Sequence, residues 1–244
     1  MLIIGHRGAR REAPENTLAG FRYLRQLGVH HVELDVRLTN DQQLVVIHDD
    51  TVNRTTAHSG KVRDFTVTEL AGMNAAAKFA GGWKETTPVP LLRDVLKEWD
   101  DLQSIQLEVK TTDLNDLRTI AHLIPDLVDE LDLIDQVIVT SMDAQLLSFM
   151  HQIAPDIRRG YVAERFTREP LAVCQQHHCT HLITNYHRVT PGLIHTAQSI
   201  GLEVSIWTVN NLNIARRMQD WGADSIITDL PSLMLKNLRH DIQY

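Results

Sequence analysis

Several features that mark specialised classes of protein are missing from this chain of 244 residues. Its two cysteines, Cys174 and Cys179, form neither a C-x-x-C pair nor a disulfide framework, so we expect free thiols in a reducing compartment. No apolar run approaches the roughly 18 residues that a membrane span needs. The first residues show no charged leader followed by a long apolar stretch and a cleavage site, which argues against secretion. We therefore expect a soluble, cytoplasmic protein.

Positive charge and aromatic side chains are also scarce. Its 24 lysines and arginines are outnumbered by 31 acidic residues, which gives a formal charge of −7. A nucleic-acid partner is not expected, because such binders are usually basic and no dense Lys/Arg stripe is present. Aromatic residues make up only 5 %, and no basic amphipathic helix is evident, so we expect no stable membrane association. The oligomeric state stays open.

What the chain does contain is an alternation of short β-rich runs with helical patterns, which indicates βαβ units and a parallel sheet. Candidate strands are Leu2–Ile4, His31–Leu38, Leu44–His48, Ser104–Lys110, Gln136–Ser141, Arg158–Ala163, His181–Ile183, Glu203–Val209 and Ser225–Thr228. The second and third are too close together for a parallel crossover of about a dozen residues, so they form an antiparallel hairpin. Without the third strand, the remaining eight predict a TIM-type (β/α)8 barrel, with residues 1–244 as a single domain.

The hairpin and the segment after it are the two departures from a plain barrel. If the turn centres on Asp41-Gln42, Asp35 lies directly opposite His48. Residues 50–90 do not fit a βα unit, because they combine a capping box, Thr66-Val-Thr-Glu69, with glycine and proline loop signals. We expect a small insertion at about 50–90 that lies over the mouth of the barrel carrying the candidate site.

Carboxylates are placed at strand ends where a metal site is expected. Glu33 and Asp35, in VELDVRL, point to one side of their strand, and apolar neighbours occupy the other side. Such alternation is common on solvated strands, but in a barrel the apolar face packs on the helices, so both acids face inward. Glu108, in IQLEVK, adds a third carboxylate, and three oxygen ligands suit one Mg²⁺ or Ca²⁺. Lys110 on the same face is either an ion-pair partner or a phosphate donor beside the metal.

Two histidines end strands at the same mouth. His6 lies at the C-terminal end of the first strand, just beyond Leu2–Ile4, and His48 ends the return strand of the hairpin. A lone histidine after an apolar run is usually structural. A pair beside a divalent cation can share the roles of general acid and general base near neutral pH.

An ordered set of motifs resembles the bacterial glycerophosphodiester phosphodiesterase family. The set is GHRG, PENTLAGF, VELDVRLTNDQQLVVIHDDTVNRTT, LEVK, IWTVN and IITDLP, and it runs from His6 to Pro231. The resemblance implies a barrel related to that of phosphatidylinositol-specific phospholipase C. It also implies hydrolysis of deacylated phospholipids to sn-glycerol 3-phosphate and an alcohol.

The resemblance also implies roles for single residues. The metal acids of the family match Glu33, Asp35 and Glu108, and its catalytic histidines match His6 and His48. Its phosphate-contacting basic residues match Arg7 and Lys110, and the tryptophan that lines its mouth matches Trp207. The chain departs from the family pattern at Met142, where an aromatic residue is frequent, and at Gln42, where the hairpin turn often has glycine.

Two other functions compete with this one. A phospholipase C- or D-like enzyme on the same barrel would act on intact lipids and would have to engage a bilayer. A non-catalytic sensor of phosphate ligands would keep the fold but would have no need of an acid–base pair.

Overall fold

Strand and helix alternate along the chain as the sequence predicts, and the strands close into a barrel. The computed structural model describes residues 1–164 and 169–238. The strands are β1 (Leu2–His6), β2 (His31–Leu38), β3 (Leu44–Val46), β4 (Ser104–Val109), β5 (Val137–Ser141), β6 (Arg158–Ala163), β7 (His181–Asn185), β8 (Glu203–Trp207) and β9 (Ser225–Thr228). All except β3 are parallel to their neighbours, and β1 pairs with both β2 and β9. The predicted (β/α)8 barrel is therefore confirmed.

Helices follow the strands, and all except the short second helix cover the outside of the barrel. They are α1 (Leu18–Gln26), α2 (Val67–Ala71), α3 (Leu92–Glu98), α4 (Leu114–Leu131), α5 (Ala144–Ile153), α6 (Pro170–Gln176), α7 (Pro191–Ser199), α8 (Leu212–Asp220) and α9 (Pro231–Leu238). Helix α1 begins after Thr17, whose hydroxyl accepts a hydrogen bond from the Gly20 N–H at 3.0 Å. In the part of the chain that the structure describes, no helix has the length and apolar character to cross a bilayer.

The β2–β3 hairpin is antiparallel as predicted, but its register differs by one residue. Leu38 pairs with Leu44, and the Asp35 carbonyl accepts a hydrogen bond from the Ile47 N–H. The expectation that Asp35 lies opposite His48 was therefore wrong. The turn has an odd number of residues, with Gln42 in the left-handed region at φ 56°. Its centre is therefore one residue rather than a pair.

Buried apolar side chains of the described residues form four clusters. Two large clusters lie between the strands and the helices, and a small one (Ile4, Val162, Ile183 and Ile227) lies inside the barrel with Trp207 packed against it. In the segment 50–90, Val52, Val62 and Leu70 pack with Val45 and Ile47 of the hairpin. The predicted capping box at Thr66 and Glu69 is present at the start of α2. The segment is thereby packed against the hairpin that leads to His48.

Candidate active site

A pocket of about 770 Å³ opens at the C-terminal ends of the barrel strands. In (β/α)8 barrels this is the end that carries active sites. Of the eight predicted site residues, seven line the pocket: His6, Arg7, Glu33, His48, Glu108, Lys110 and Trp207. The eighth, Asp35, is fully buried beside them. The structure thus brings together every residue that the sequence singled out.

The three predicted metal-binding acids form one cluster. Glu33, Asp35 and Glu108 each offer an oxygen atom, and these atoms lie within 4.8 Å of one another. Strand pairing explains the proximity, because Asp35 lies directly beside Glu108 in the β2–β4 register. Glu33 Oε1 and Asp35 Oδ1 are buried and accept no hydrogen bond from the described residues. Buried carboxylate oxygens without donors are the oxygen ligands that Mg²⁺ and Ca²⁺ prefer, so these residues fit a divalent cation.

The charges around the cluster lead to the same conclusion. Burial and the neighbouring carboxylates of Asp35 and Glu108 hold the pKa of Glu33 well above its ordinary value. Burial also raises the pKa of Glu108, although Lys110 opposes this. For Asp35, burial acts in the same direction, but Arg7 and Lys110 outweigh it and lower the pKa. Three carboxylates lie beside only two basic side chains, those of Arg7 and Lys110. A bound metal cation would neutralise the remaining negative charge.

Arg7 and Lys110 lie beside the acids on opposite sides. Arg7 Nε is 3.1 Å from Asp35 Oδ2, and the Arg7 N–H donates to Glu33 Oε2 at 3.0 Å. Lys110 Nζ donates to Glu108 Oε1 at 2.6 Å and lies 3.5 Å from Asp35 Oδ1. Lys110 is therefore an ion-pair partner of the acids and also lines the pocket, so the two interpretations from the sequence are compatible.

The turn after β1 explains the two glycines that flank His6 and Arg7. Arg7 has φ 51° and Gly8 has φ 89°, so the chain makes a tight left-handed turn there. A Cβ atom at Gly5 would lie 2.2 Å from the Gly8 carbonyl oxygen and 2.4 Å from Leu24 Cδ2. Gly5 thus lets the turn fold back against strand and helix. The turn places the Arg7 side chain over the acids.

His6 has a partner that the sequence did not reveal. Its Nδ1 lies 2.5 Å from Asp229 Oδ1, and Asp229 follows β9, the strand next to β1. Asn210 Nδ2 donates to the other Asp229 oxygen at 2.7 Å and so fixes the carboxylate. Burial lowers the pKa of His6, and Asp229 opposes that shift. Asp229 leaves Nε2 of the ring facing Glu33 Oε2, at 3.9 Å.

His48 lies beyond the end of β3 and is held by its neighbours. Its Nδ1 lies 2.6 Å from Asp49 Oδ1, and its carbonyl oxygen accepts a hydrogen bond from Arg37 Nε at 2.8 Å. The predicted strand Leu44–His48 was too long, because β3 ends at Val46. Burial lowers the pKa of His48, with Asp35 opposing. Both candidate catalytic histidines therefore have a carboxylate on Nδ1 and present Nε2 as the remaining ring nitrogen.

Further residues at the site belong to the motifs quoted above but were not predicted as site residues. Asn16, of PENT, donates to Asp35 Oδ2 at 2.8 Å and has φ 54°, so it orients one of the three predicted metal-binding acids while Thr17 caps the helix. Asp229 lies in IITDLP. Its position directly after a strand, at the same mouth as Glu33 and Asp35, is the signal that would have identified it.

Two histidines with carboxylate partners and a cluster of three acids at the C-terminal mouth of a parallel barrel are features of an enzyme of the (β/α)8 class. Comparison with known proteins identifies the family within this class. The chain belongs to the glycerophosphoryl diester phosphodiesterase family, whose model matches residues 6–233. The family suggested by the sequence motifs is thereby confirmed.

Individual relatives agree with this placement. A glycerophosphodiester phosphodiesterase of Caldanaerobacter subterraneus subsp. tengcongensis is 32 % identical over 243 residues, which cover 98 % of each chain. The crystal structure of a glycerophosphodiester phosphodiesterase from Agrobacterium tumefaciens superimposes with a TM-score of 0.84 at 28 % identity, covering 97 % of this chain and 99 % of that one. An Oleispira antarctica phosphodiesterase, solved with the product sn-glycerol-3-phosphate, shares the fold with a TM-score of 0.89 at 22 % identity, covering 98 % and 97 % of the two chains.

Proposed function

We propose that this protein hydrolyses glycerophosphodiesters, the deacylated forms of phospholipids, to sn-glycerol 3-phosphate and an alcohol. The observation that carries the proposal is the cluster of Glu33, Asp35 and Glu108 in the same pocket as His6 and His48. The names of the relatives supply the substrate class, and the Oleispira antarctica complex supplies the product.

The acids are proposed to hold one divalent cation, Mg²⁺ or Ca²⁺. When bound, the cation would act as a Lewis acid on a phosphoryl oxygen. Arg7 and Lys110 donate to the non-bridging oxygens, whose negative charge grows in the transition state. Trp207 places its ring against the carbon skeleton of the substrate, beside the apolar floor of the pocket.

His6 and His48 are proposed to move the protons. One imidazole takes the proton of the attacking hydroxyl as a new P–O bond forms. The other imidazole donates a proton to the oxygen of the leaving alcohol as the bond between that oxygen and phosphorus breaks. The attacking group is either water or a glycerol hydroxyl of the substrate, which would give a cyclic phosphate that water then opens.

The experiment is a panel of glycerophosphodiesters with choline, ethanolamine, glycerol or inositol as the alcohol, assayed after chelation and after each metal is added back. We expect turnover of at least one diester that is lost on chelation and restored by Mg²⁺ or Ca²⁺. His6→Ala and His48→Ala should abolish turnover in folded protein. Full activity of the chelated protein would overturn the metal assignment.

Two further arms separate the competing mechanisms and substrates. ³¹P NMR of the running reaction detects a cyclic phosphate if the substrate hydroxyl attacks. Vesicles of intact phosphatidylcholine, assayed beside glycerophosphocholine, test the phospholipase alternative. Faster hydrolysis of the vesicles would replace the proposed substrate class. Ligand binding without turnover of any diester would favour the sensor.

Residues 1–244 are proposed to be one domain in which the segment 50–90 covers the mouth and influences the choice of alcohol. The support is that Lys61, Val62 and Arg63 of this segment line the pocket. A single cooperative unfolding transition, seen alike by circular dichroism and by tryptophan fluorescence, is expected.

A further inference from the structure

An arginine outside the catalytic pocket joins two loops that carry proposed site residues. Arg54 lies in the segment that follows the hairpin. Its Nη1 and Nη2 donate to the two oxygens of Glu15 at 2.8 and 2.7 Å. Its Nε donates to Asp49 Oδ2 at 2.7 Å. One guanidinium therefore binds two carboxylates from different loops, and the pair with Glu15 is bidentate, the geometry in which arginine binds carboxylate best.

Glu15 extends this contact to the other side of the site. Its Oε1 accepts from Arg7 Nη1 at 3.0 Å, and its Oε2 accepts from Arg10 Nε at 3.0 Å. Only 11 % of the Glu15 side chain is exposed. A buried carboxylate with three arginines around it stays ionised and holds a fixed orientation. Arg7 thus has its position set by Glu15 as well as by Asp35.

Asp49 extends the contact in the opposite direction, because its Oδ1 lies 2.6 Å from His48 Nδ1. A continuous series of charged hydrogen bonds therefore runs from Arg7 through Glu15, Arg54 and Asp49 to His48. We call the central pair, Glu15 with Arg54, the Glu15–Arg54 bridge. Neither of its members is among the residues that line the main pocket, and both instead line a smaller pocket of about 320 Å³.

We propose that the Glu15–Arg54 bridge is a positioning device that fixes the phosphate-binding Arg7 and the proton-transferring His48 relative to each other. The proposal rests on the roles given to those two residues under the proposed function. The bridge touches neither substrate nor metal, and it acts through the side chains that do.

The need for such a bridge follows from how the chain reaches His48. Strand β3 pairs with β2 outside the closed barrel and ends at Val46, so His48 belongs to a loop. Arg7 lies in a different loop, after β1. The Arg54 side chain is 39 % exposed, so its ion pairs contribute little to stability, but a misplacement of about 1 Å at a reacting group can cost on the order of 100-fold in rate. Arg54→Met is therefore expected to affect rate far more than folding.

The test compares Arg54→Met, Glu15→Gln and the double variant with the wild-type enzyme on its best diester. We expect each single variant to lower kcat by about 10- to 100-fold. KM should change less than kcat in Arg54→Met, because Arg7 keeps Asp35 and Glu15 as partners. The double variant should cost no more than the worse single variant, since one bridge can be broken only once. Arg54→Lys should recover part of the loss in kcat, because lysine keeps the positive charge but cannot form the bidentate pair with Glu15.

The control variant is Arg93→Met, which removes an exposed ion pair to Glu130 between α3 and α4; neither residue lines the pocket. It should keep wild-type kcat. Thermal unfolding of every variant identifies any that fail to fold. NMR of the His48 ring gives a readout independent of turnover, and its nitrogen shifts should change in Arg54→Met while those of His6 do not.

The possible outcomes distinguish failure of the positioning role of the bridge from failure of the proposed function. A wild-type enzyme that hydrolyses no diester overturns the proposed function, but the His48 shift in Arg54→Met still tests the bridge. If the wild type is active and His48→Ala is not, the function stands. In that case, Arg54→Met with kcat within twofold of wild type and an unchanged His48 spectrum overturns the bridge. Multiplying effects in the double variant would show two independent residues and would also overturn it.

Discussion

The carboxylate of Asp229 offers the sharpest test of the proposed proton transfer, through the substitution Asp229→Asn. This change keeps the size of the side chain and the hydrogen bond from the backbone N–H of residue 229 to Asn210 Oδ1, but it removes a negative charge 2.5 Å from His6 Nδ1. Whether His6 acts as base or as acid, it carries a positive charge in one state of the reaction, and Asp229 stabilises that state. The substitution should therefore lower turnover under either assignment.

The size of the effect follows from Coulomb's law. The delocalised charges of the two side chains have centres about 4 Å apart, and an effective dielectric constant of about 20 gives an attraction of about 4 kcal/mol. A loss of 1.36 kcal/mol of transition-state stabilisation is tenfold in rate, so kcat/KM should fall by about 10³-fold. Burial already lowers the pKa of His6, and without Asp229 nothing of comparable size opposes it.

The assay is steady-state kinetics on the best diester, with Asp224→Asn as the matched control. Asp224 lies just before β9, at the opposite end of that strand, and accepts a hydrogen bond from the Val204 N–H at 2.7 Å. The control variant should keep wild-type kcat/KM within about threefold, although it loses some stability. A folded Asp229→Asn enzyme with kcat/KM within tenfold of wild type would refute the argument that His6 depends on this charge.

Other predictions concern the metal cluster, the turn after β1 and pH. Glu33→Gln should weaken binding of Mg²⁺ or Ca²⁺ measured by calorimetry, because it removes the charge of one of the three proposed ligands; equal affinity would contradict the assignment. Gly5→Ala should lower the free energy of unfolding, measured in urea, by about 1–3 kcal/mol, because the new Cβ would lie 2.2 Å from a carbonyl oxygen. The control Gly192→Ala, whose Cβ would have its nearest contact at 3.9 Å, should not lower it by this amount. Despite burial, the surrounding arginines hold the pKa of Glu15 below its ordinary 4.5. The difference in Tm between wild type and Glu15→Gln should therefore be largest above pH 4.5 and should decrease as the pH is lowered below it. A gap that stays constant from pH 7 to pH 3 would contradict this.

The parts of the site that could be predicted are those that a single strand determines. Glu33 and Asp35 lie two residues apart between apolar neighbours, so strand geometry alone turns both inward. Glu108 joins them because strands of a barrel end at a common mouth, which follows once the fold is recognised. Local periodicity carried this information, and the structure agrees with it in the positions of all three acids.

The parts that could not be predicted depend on registers and on contacts between distant loops. The hairpin was misaligned by one residue because sequence does not show whether a short turn has an odd or an even number of residues. Glu15 and Arg54 are ordinary charged loop residues among the 55 charged side chains of the chain, and only the packing of the loops brings them together. No periodic pattern connects them.

The contact between His6 and Asp229 joins residues 223 positions apart, one at the end of β1 and the other just after β9. These strands meet only when the sheet closes on itself, so the histidine acquires its partner in the last pairing that completes the cylinder. Catalytic activity should therefore be a stricter measure of native structure than secondary-structure content. During refolding, helical circular dichroism should return before turnover does, and loosening the β1–β9 seam should abolish turnover in protein that still contains most of its helices and strands.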